Sequence, residues 1–309
     1  MTTLLFTHPA CLAHDPGAYH PEAPARLAAV LEALSAPEFA VLDRREAPEA
    51  THDDLTRVHP ARFVDLLLAA VPKTGHVGID ADTVMCPASG AAALRAAGAV
   101  AAAVDAVIAG EADNAFCAVR PPGHHAEPGR AMGFCLFNNV AIGALRARAR
   151  HGLRRVAVVD FDVHHGNGTQ ACFWDDADLF YGSTHQSPLY PGTGRAGETG
   201  VSGNIVNVPL PPMSGSQAFR LGMTRTLLPA LDAFAPEMLL ISAGFDAHKS
   251  DPLAQLMLDE SDYTWATEQL LTIADRHAGG RVVSSLEGGY DLNALGASAA
   301  AHVRVLMSV

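Results

Sequence analysis

The sequence predicts an α/β protein, a central and mainly parallel sheet flanked by helices, carried by one domain over residues 1–309. Three observations predict it. Short apolar runs rich in β-branched residues alternate with longer amphipathic or alanine-rich stretches, and no linker or internal repeat interrupts them. Some of the short runs are apolar throughout, as strands buried on both faces of a parallel sheet are. Four of them then end abruptly in glycine, aspartate, histidine or tyrosine, at the strand ends where open α/β sheets bind ligands. With 309 residues, 49% of them hydrophobic, the chain can bury a sizeable core.

Taken in order, residues 3–8 form a first strand that runs into a loop carrying His14, Asp15, His20 and Glu22. Pro24 opens a helix at a first-turn position, continued over 26–34. Thr51 and Asp54 make a capping box ahead of an amphipathic helix over 55–71. Residues 72–87 are a loop rich in glycine and aspartate, long enough to line a site. The alanine-rich stretch 89–110 is nearly apolar enough for a membrane span, but Arg95 and Asp105 interrupt it and its alanines suit a packed helix. A strand at 115–119 ends in Arg120-Pro121-Pro122-Gly123-His124-His125, and a helix covers 139–150. The strand at 156–159 ends in Asp160-Phe161-Asp162-Val163-His164-His165, with a helix from Thr169 onward. A strand at 179–183, a glycine-rich loop at 185–204 and a strand at 205–208 follow. A single helix is expected over 216–234, then a strand at 238–242 that ends in Ala243-Gly244-Phe245-Asp246. Helix 261–278, strand 282–286 ending in Glu287-Gly288-Gly289-Tyr290, and helix 293–307 complete the chain.

The formal charge of −12 argues against nucleic-acid binding, which needs clustered Lys and Arg. Arg146, Arg148, Arg150, Arg154 and Arg155 are read as a solvated face. Five cysteines form no CxxC pair, which fits buried free thiols in a reducing cytoplasm. The first residues lack the basic and apolar regions of a signal peptide. Neither a membrane nor a nucleic-acid partner is expected, and homo-oligomerisation is left open.

Along an extended chain Asp160, Asp162 and His164 fall on one side, and Phe161, Val163 and His165 on the other. Burying two carboxylates and an imidazole without a partner is costly, so a cation is the simplest resident. Aspartate and histidine without cysteine favour a zinc-like divalent ion. Each strand end has an ordinary structural use: a salt-bridged strand end at Asp160–His164, a cap for the histidine pair or Asp246, a turn for Tyr290. Parallel strands with helical crossovers bring all four to one edge of the sheet. His124 and His125, Asp160, Asp162 and His164, Asp246 and Tyr290 together supply what metal-assisted hydrolysis needs: ligands, a base and an oxyanion donor.

The motifs RPPGHHA, GFCLFNN, VDFDVHHGNGTQ, YPGTG, SAGFDAH and EGGY, in this order, resemble the histone deacetylase and acetylpolyamine amidohydrolase superfamily. The resemblance runs from the loop at 20–27 to Tyr290. It implies the arginase/deacetylase α/β fold and zinc-dependent hydrolysis of acetylated amines. It implies one zinc per chain on Asp162, His164 and Asp246, with His125 as general base and His124 aiding leaving-group protonation or electrostatics. Tyr290 would donate to the scissile carbonyl, Asp160 would orient His124, and Asn167 would stand behind His125. That Asn resembles the class II branch and its bacterial relatives, and it carries no charge. Gly133, Phe134 and Tyr190 match the wall of a narrow tunnel, Leu253 its apolar rim, and Arg26 an arginine of an internal product channel. Potassium is implied near the zinc on Asp160, Asp162, His164, Ser183 and Thr184. A second potassium is implied on Phe173, Asp176, Leu179 and Asn204, mostly through backbone carbonyls.

The expected substrate is a small-molecule or peptide acyl-amine. Leu253 stands where polyamine-specific relatives carry a gatekeeping Glu, and Met85 stands near the position of the class I Asp that grips a peptide backbone. An apolar entrance favours acyl-lysine over a polyamine cation, which would lose hydration there without a carboxylate to replace it. Asp80 and Asp82 are the acidic groups that could alter this. The alternatives are an acetylpolyamine or small-amide hydrolase, a two-metal arginase-like hydrolase, and a catalytically silent acyl-lysine binding module. Tyr290 argues against the last.

Overall fold

A computed structural model describes residues 2–308. Eight strands form one sheet in the order β2-β1-β5-β10-β9-β6-β7-β8, every neighbouring pair parallel. In chain order they are β1 (Thr3–Thr7), β2 (Asp43–Glu46), β5 (Asn114–Cys117), β6 (Val156–Asp160), β7 (Leu179–Gln186), β8 (Ile205–Leu210), β9 (Met238–Ala243) and β10 (Val282–Leu286). A short antiparallel hairpin, β3 (Val77–Gly78) and β4 (Val84–Met85), stands apart from the sheet. β5, β6, β7, β9 and β10 are buried at every residue, as their apolar runs predict.

Two groups of helices flank the sheet. Ser89–Ile108 packs on Asn139–His151, and Leu292–Leu306 packs on both Pro24–Ala33 and Glu260–His277. The first of these is long and apolar enough to cross a membrane by length and composition, yet most of its residues are buried among its neighbours. Arg146 corrects the reading of a solvated arginine face. It is buried, and its guanidinium is shared between Asp54 and Asp105.

Among the departures from expectation, three have a local reason. The helix expected at 55–71 is two, His52–Thr56 and Ala61–Ala69, because Pro60 lacks an N–H and serves as the cap of the second. The helix expected at 216–234 is continuous but widens to π geometry over Met223–Leu227, just before Pro229 removes a donor. Strand β2 has the sequence DRRE and no apolar signal. It is an edge strand whose charges discourage further pairing.

The four strands that end in site residues, β5, β10, β9 and β6, are adjacent at the centre of the sheet. The site is therefore assembled from loops that leave neighbouring strands.

Candidate active site

Strand β6 ends at Asp160, and the chain bends over residues 162–164. It folds back on its own carboxylates. The Asp162 N–H donates to Asp160 Oδ1 at 3.1 Å, and the His164 N–H donates to Asp162 Oδ1 at 2.9 Å. Aspartates accept from the backbone two residues on in this way, so the alternating motif makes a compact turn rather than a strand. The partition expected of an extended chain survives in contacts. His164 meets Asp162, whereas His165 turns away to Thr193 and Gln170.

His164 Nδ1 lies 3.1 Å from Asp162 Oδ1 and 3.0 Å from Asp246 Oδ2, and one ligand atom from each residue lies within 4.8 Å of the others. Donors roughly 2.0–2.2 Å from a tetrahedral zinc stand roughly 3.3–3.6 Å apart, so this buried Asp-His-Asp set is close to the right size. The remaining lone pairs are tied down. Gly288 N–H donates to Asp162 Oδ2 at 2.7 Å and Val163 N–H to Asp246 Oδ1 at 2.8 Å. A side chain at Gly288 would collide with both carboxylates. Burial pushes Asp246 up to about 7, helped by the neighbouring Asp162 charge. Burial would lower His164, but its hydrogen bonds to Asp162 and Asp246 raise it to about 10. Two carboxylates here demand positive charge, and a divalent cation fits the donor chemistry.

The histidine pair follows β5, with ring centroids 4.0 Å apart. His124 Nδ1 meets Asp160 Oδ2 at 2.9 Å, and that oxygen also accepts from the Tyr181 hydroxyl. Burial disfavours a charged His124, but Asp162 and Asp160 outweigh it and raise its pKa well above the ordinary imidazole value. His125 is the opposite case. Burial, then the charges of His124 and His164, hold it well below that value. Its Nδ1 lies 2.8 Å from Asn167 Oδ1, and Asn167 Nδ2 in turn donates to Glu127 Oε1 at 2.7 Å. Glu287 closes the underside, accepting from the Gly123 and His124 N–H groups.

A cavity of about 240 Å³ opens on these groups, lined by His125, His164, Gly133, Phe134, Tyr190, Leu253, Tyr290, Leu189 and Asp82. The exposure gradient sets its direction: Tyr190 and Leu253 are exposed at the mouth, while His125 and His164 are buried at the floor. Phe134 takes a left-handed backbone (φ 67°), with its N–H held by the Thr83 hydroxyl. The hairpin β3–β4 carries Asp82 to the cavity, so the entrance is not wholly apolar. Asp82 and Leu253 line the cavity together. Met85 is fully buried and does not line the cavity. Arg26 is absent from the cavity lining. It is buried behind Tyr290, 4.8 Å from the ring, and donates to the carbonyls of Glu287 and Gly289.

Of the positions matched to potassium, Ser183 Oγ is engaged by His185 Nδ1, whereas Thr184 Oγ1 is buried without a partner. The carbonyls of Phe173, Asp176 and Leu179 all receive the Asn204 Nδ2 group, at 2.9, 3.1 and 2.9 Å. Sequence reasoning overlooked Asp251, whose carboxylate joins the rim to the floor by accepting from Leu253 N–H (2.9 Å) and Tyr290 N–H (2.7 Å). It also overlooked Glu287, Tyr181 and Glu127. The Glu in EGGY and the Glu two residues after His125 were the signals available for two of them.

The geometry has its counterpart in known proteins. A histone deacetylase-like amidohydrolase of Pseudomonas aeruginosa is 43% identical over 286 residues, covering 91% of this chain and 74% of its own length. Histone deacetylase 14, chloroplastic, of Arabidopsis thaliana is 39% identical over 98% of this chain and 76% of its own. A probable deacetylase of Archaeoglobus fulgidus is 37% identical over 94% of this chain and 82% of its own. The crystal structure of the HDA15 HD domain superposes with a TM-score of 0.93 at 36% identity, covering 99% of this chain and 88% of that one. The histone deacetylase domain family matches residues 20–306, almost the whole chain. With this match and these identities, the chain belongs to the histone deacetylase family, as a deacetylase-type amidohydrolase with the arginase/deacetylase fold.

Proposed function

We propose that the chain is a zinc-dependent deacylase that hydrolyses the acyl amide at the end of a slim alkylamine, the acetylated lysine side chain foremost. The observation that carries this reading is the cavity floor. His164 of the buried Asp-His-Asp set, the His125 imidazole and the Tyr290 phenol line one narrow slot together. A zinc-class ion held by Asp162, His164 and Asp246 would polarise an amide carbonyl and lower the pKa of bound water toward about 7.

The other steps belong to the chain's own residues. His125, kept neutral, takes a proton from the water that attacks the carbonyl carbon. Tyr290 donates its phenolic hydrogen to the carbonyl oxygen as negative charge grows there. His124, kept protonated beside Asp160, adds positive charge next to the reacting atoms. As the C–N bond breaks, the amine nitrogen takes the proton from His125, and a carboxylic acid and a free amine leave.

Support for an outer potassium comes from three backbone carbonyls that share one amide NH₂ group, which has only two hydrogens for them. The unpartnered Thr184 hydroxyl supports an inner one. A cavity of about 240 Å³ walled by Phe134 and Tyr190 suits an unbranched chain ending in an uncharged amide. Asp82 favours a positive charge on the substrate near the mouth, and it is the observation behind a second reading, an acetylpolyamine hydrolase. Turnover of an acetyl-lysine amide should disappear with a chelator and return with zinc. In kcat/KM it should exceed turnover of acetylputrescine, whereas a preference of about tenfold for the polyamine would install the second reading.

A further inference from the structure

Asn167 stands behind His125, and what stands behind Asn167 decides which way its amide points. A carboxylate offers only acceptor atoms, so an amide in contact with one turns its NH₂ toward it. Asn167 does this: Nδ2 donates to Glu127 Oε1 at 2.7 Å and approaches the Met132 sulfur, a second acceptor, at 3.4 Å. The amide oxygen is thereby left facing His125 Nδ1 at 2.8 Å, where it accepts only from a protonated nitrogen. Rotated by half a turn, the same amide would present hydrogens to Nδ1. That would favour the tautomer with its proton on Nε2, which cannot act as a base.

We propose that Glu127 is a positioning residue for hydrolysis: through the Asn167 amide it fixes the Nδ1–H tautomer of His125 and keeps Nε2 free to take the proton from water. The inference rests on the reading of His125 as general base. The acceptor that orients the Asn167 amide thus sits one residue farther out, on a side chain only two positions along the chain from His125. Glu127 is well placed to hold its aim, since it exchanges backbone hydrogen bonds with Arg130 at 2.9 and 3.3 Å in a tight turn. Together with Gln170 and Trp174 it lines an open depression that shares no lining residue with the substrate cavity. Substitution there leaves the tunnel walls and the metal ligands untouched.

The test is steady-state kinetics of the full chain, loaded with zinc, on an acetyl-lysine amide, with metal content and melting temperature measured alongside. Glu127→Ala should lower kcat roughly ten- to a hundredfold, with KM and zinc content unchanged. Glu127→Gln keeps an oxygen able to accept from Asn167, so its kcat should recover to within about threefold of the parent. In an Asn167→Ala background, Glu127→Ala should add no further loss. The proposal is overturned if Glu127→Ala keeps kcat within about twofold, or if its loss persists in the Asn167→Ala background. It is equally overturned if Glu127→Gln is as impaired as Glu127→Ala. His125→Ala separates the two levels: turnover surviving it removes the base assignment itself, whereas its loss beside an unaffected Glu127→Ala removes only the role of Glu127.

Discussion

A phenol can donate to a growing oxyanion only while it keeps its proton. Burial raises Tyr290 well above the ordinary phenol pKa, and the Arg26 guanidinium behind the ring offsets only part of this. Tyr290→Phe keeps the ring against Phe134 and Arg26 and removes the hydroxyl. Its kcat should fall by roughly two to three orders of magnitude while zinc content and fold are retained. A rise in KM alone would make Tyr290 a substrate-shaping residue instead. Asp162→Ala probes a different dependence, because this carboxylate also anchors the Gly288 and His164 N–H groups. Elemental analysis should find its bound zinc lost together with activity. An active variant with one ion per chain would redraw the ligand set.

At the scale of elements, close approach can override helix propensity. Alanine is favoured over glycine inside a helix by about 1 kcal/mol, yet Gly98 sits in the middle of the alanine-rich helix Ser89–Ile108. A Cβ there would run into backbone atoms of Pro48, Glu49 and Ala50, which cannot rotate aside as a side chain does. Gly98→Ala should therefore destabilise the protein, by about 1–3 kcal/mol as overpacking does, and lower the urea midpoint. A higher midpoint would show that the segment after β2 yields easily. The same contact explains why this helix belongs to the core despite a composition that passes for a membrane span.

Across the whole molecule, one buried ionic cluster ties the N-terminal segment to the site. Glu22 is fully buried and pairs with Arg120 after β5 and Arg26 in the first long helix. Those arginines bind carbonyls of Cys11, His14, Glu287 and Gly289. Burial would raise Glu22, but the Arg120 charge and the His14 contact hold it well below the usual carboxylate range. A carboxylate whose folded pKa lies below its unfolded value of about 4.3 contributes its full stabilisation above that value and loses it as pH falls through the folded one. Glu22→Gln should thus cost about 3–5 kcal/mol near neutral pH, by stranding two buried guanidinium groups. It should also flatten the decline in stability toward about pH 3, a difference that urea unfolding at the two pH values reads directly. Equal declines in parent and variant would move the acid sensitivity to another group.

What the sequence determined by itself is what short-range chemistry controls. The buried strands were legible because most are short, largely apolar runs, and Asp162, His164, His124 and His125 because they interrupt such runs at strand ends. Asp246 and Tyr290 were legible for the same reason, once parallel connections put all the ends on one edge. Strand β2 was not, since DRRE becomes a strand only by pairing with β1. Asp82 reaches the substrate cavity only because a hairpin folds the 72–87 loop, and Asp251 matters only through N–H groups on two loops, one of them 39 residues away. Glu127 lies two residues from His125 but acts through Asn167, 40 residues on. Periodicity and motif spacing report on neighbours along the chain. Which carboxylate faces which N–H, imidazole or guanidinium is set by packing between segments far apart in the chain, which no local pattern encodes.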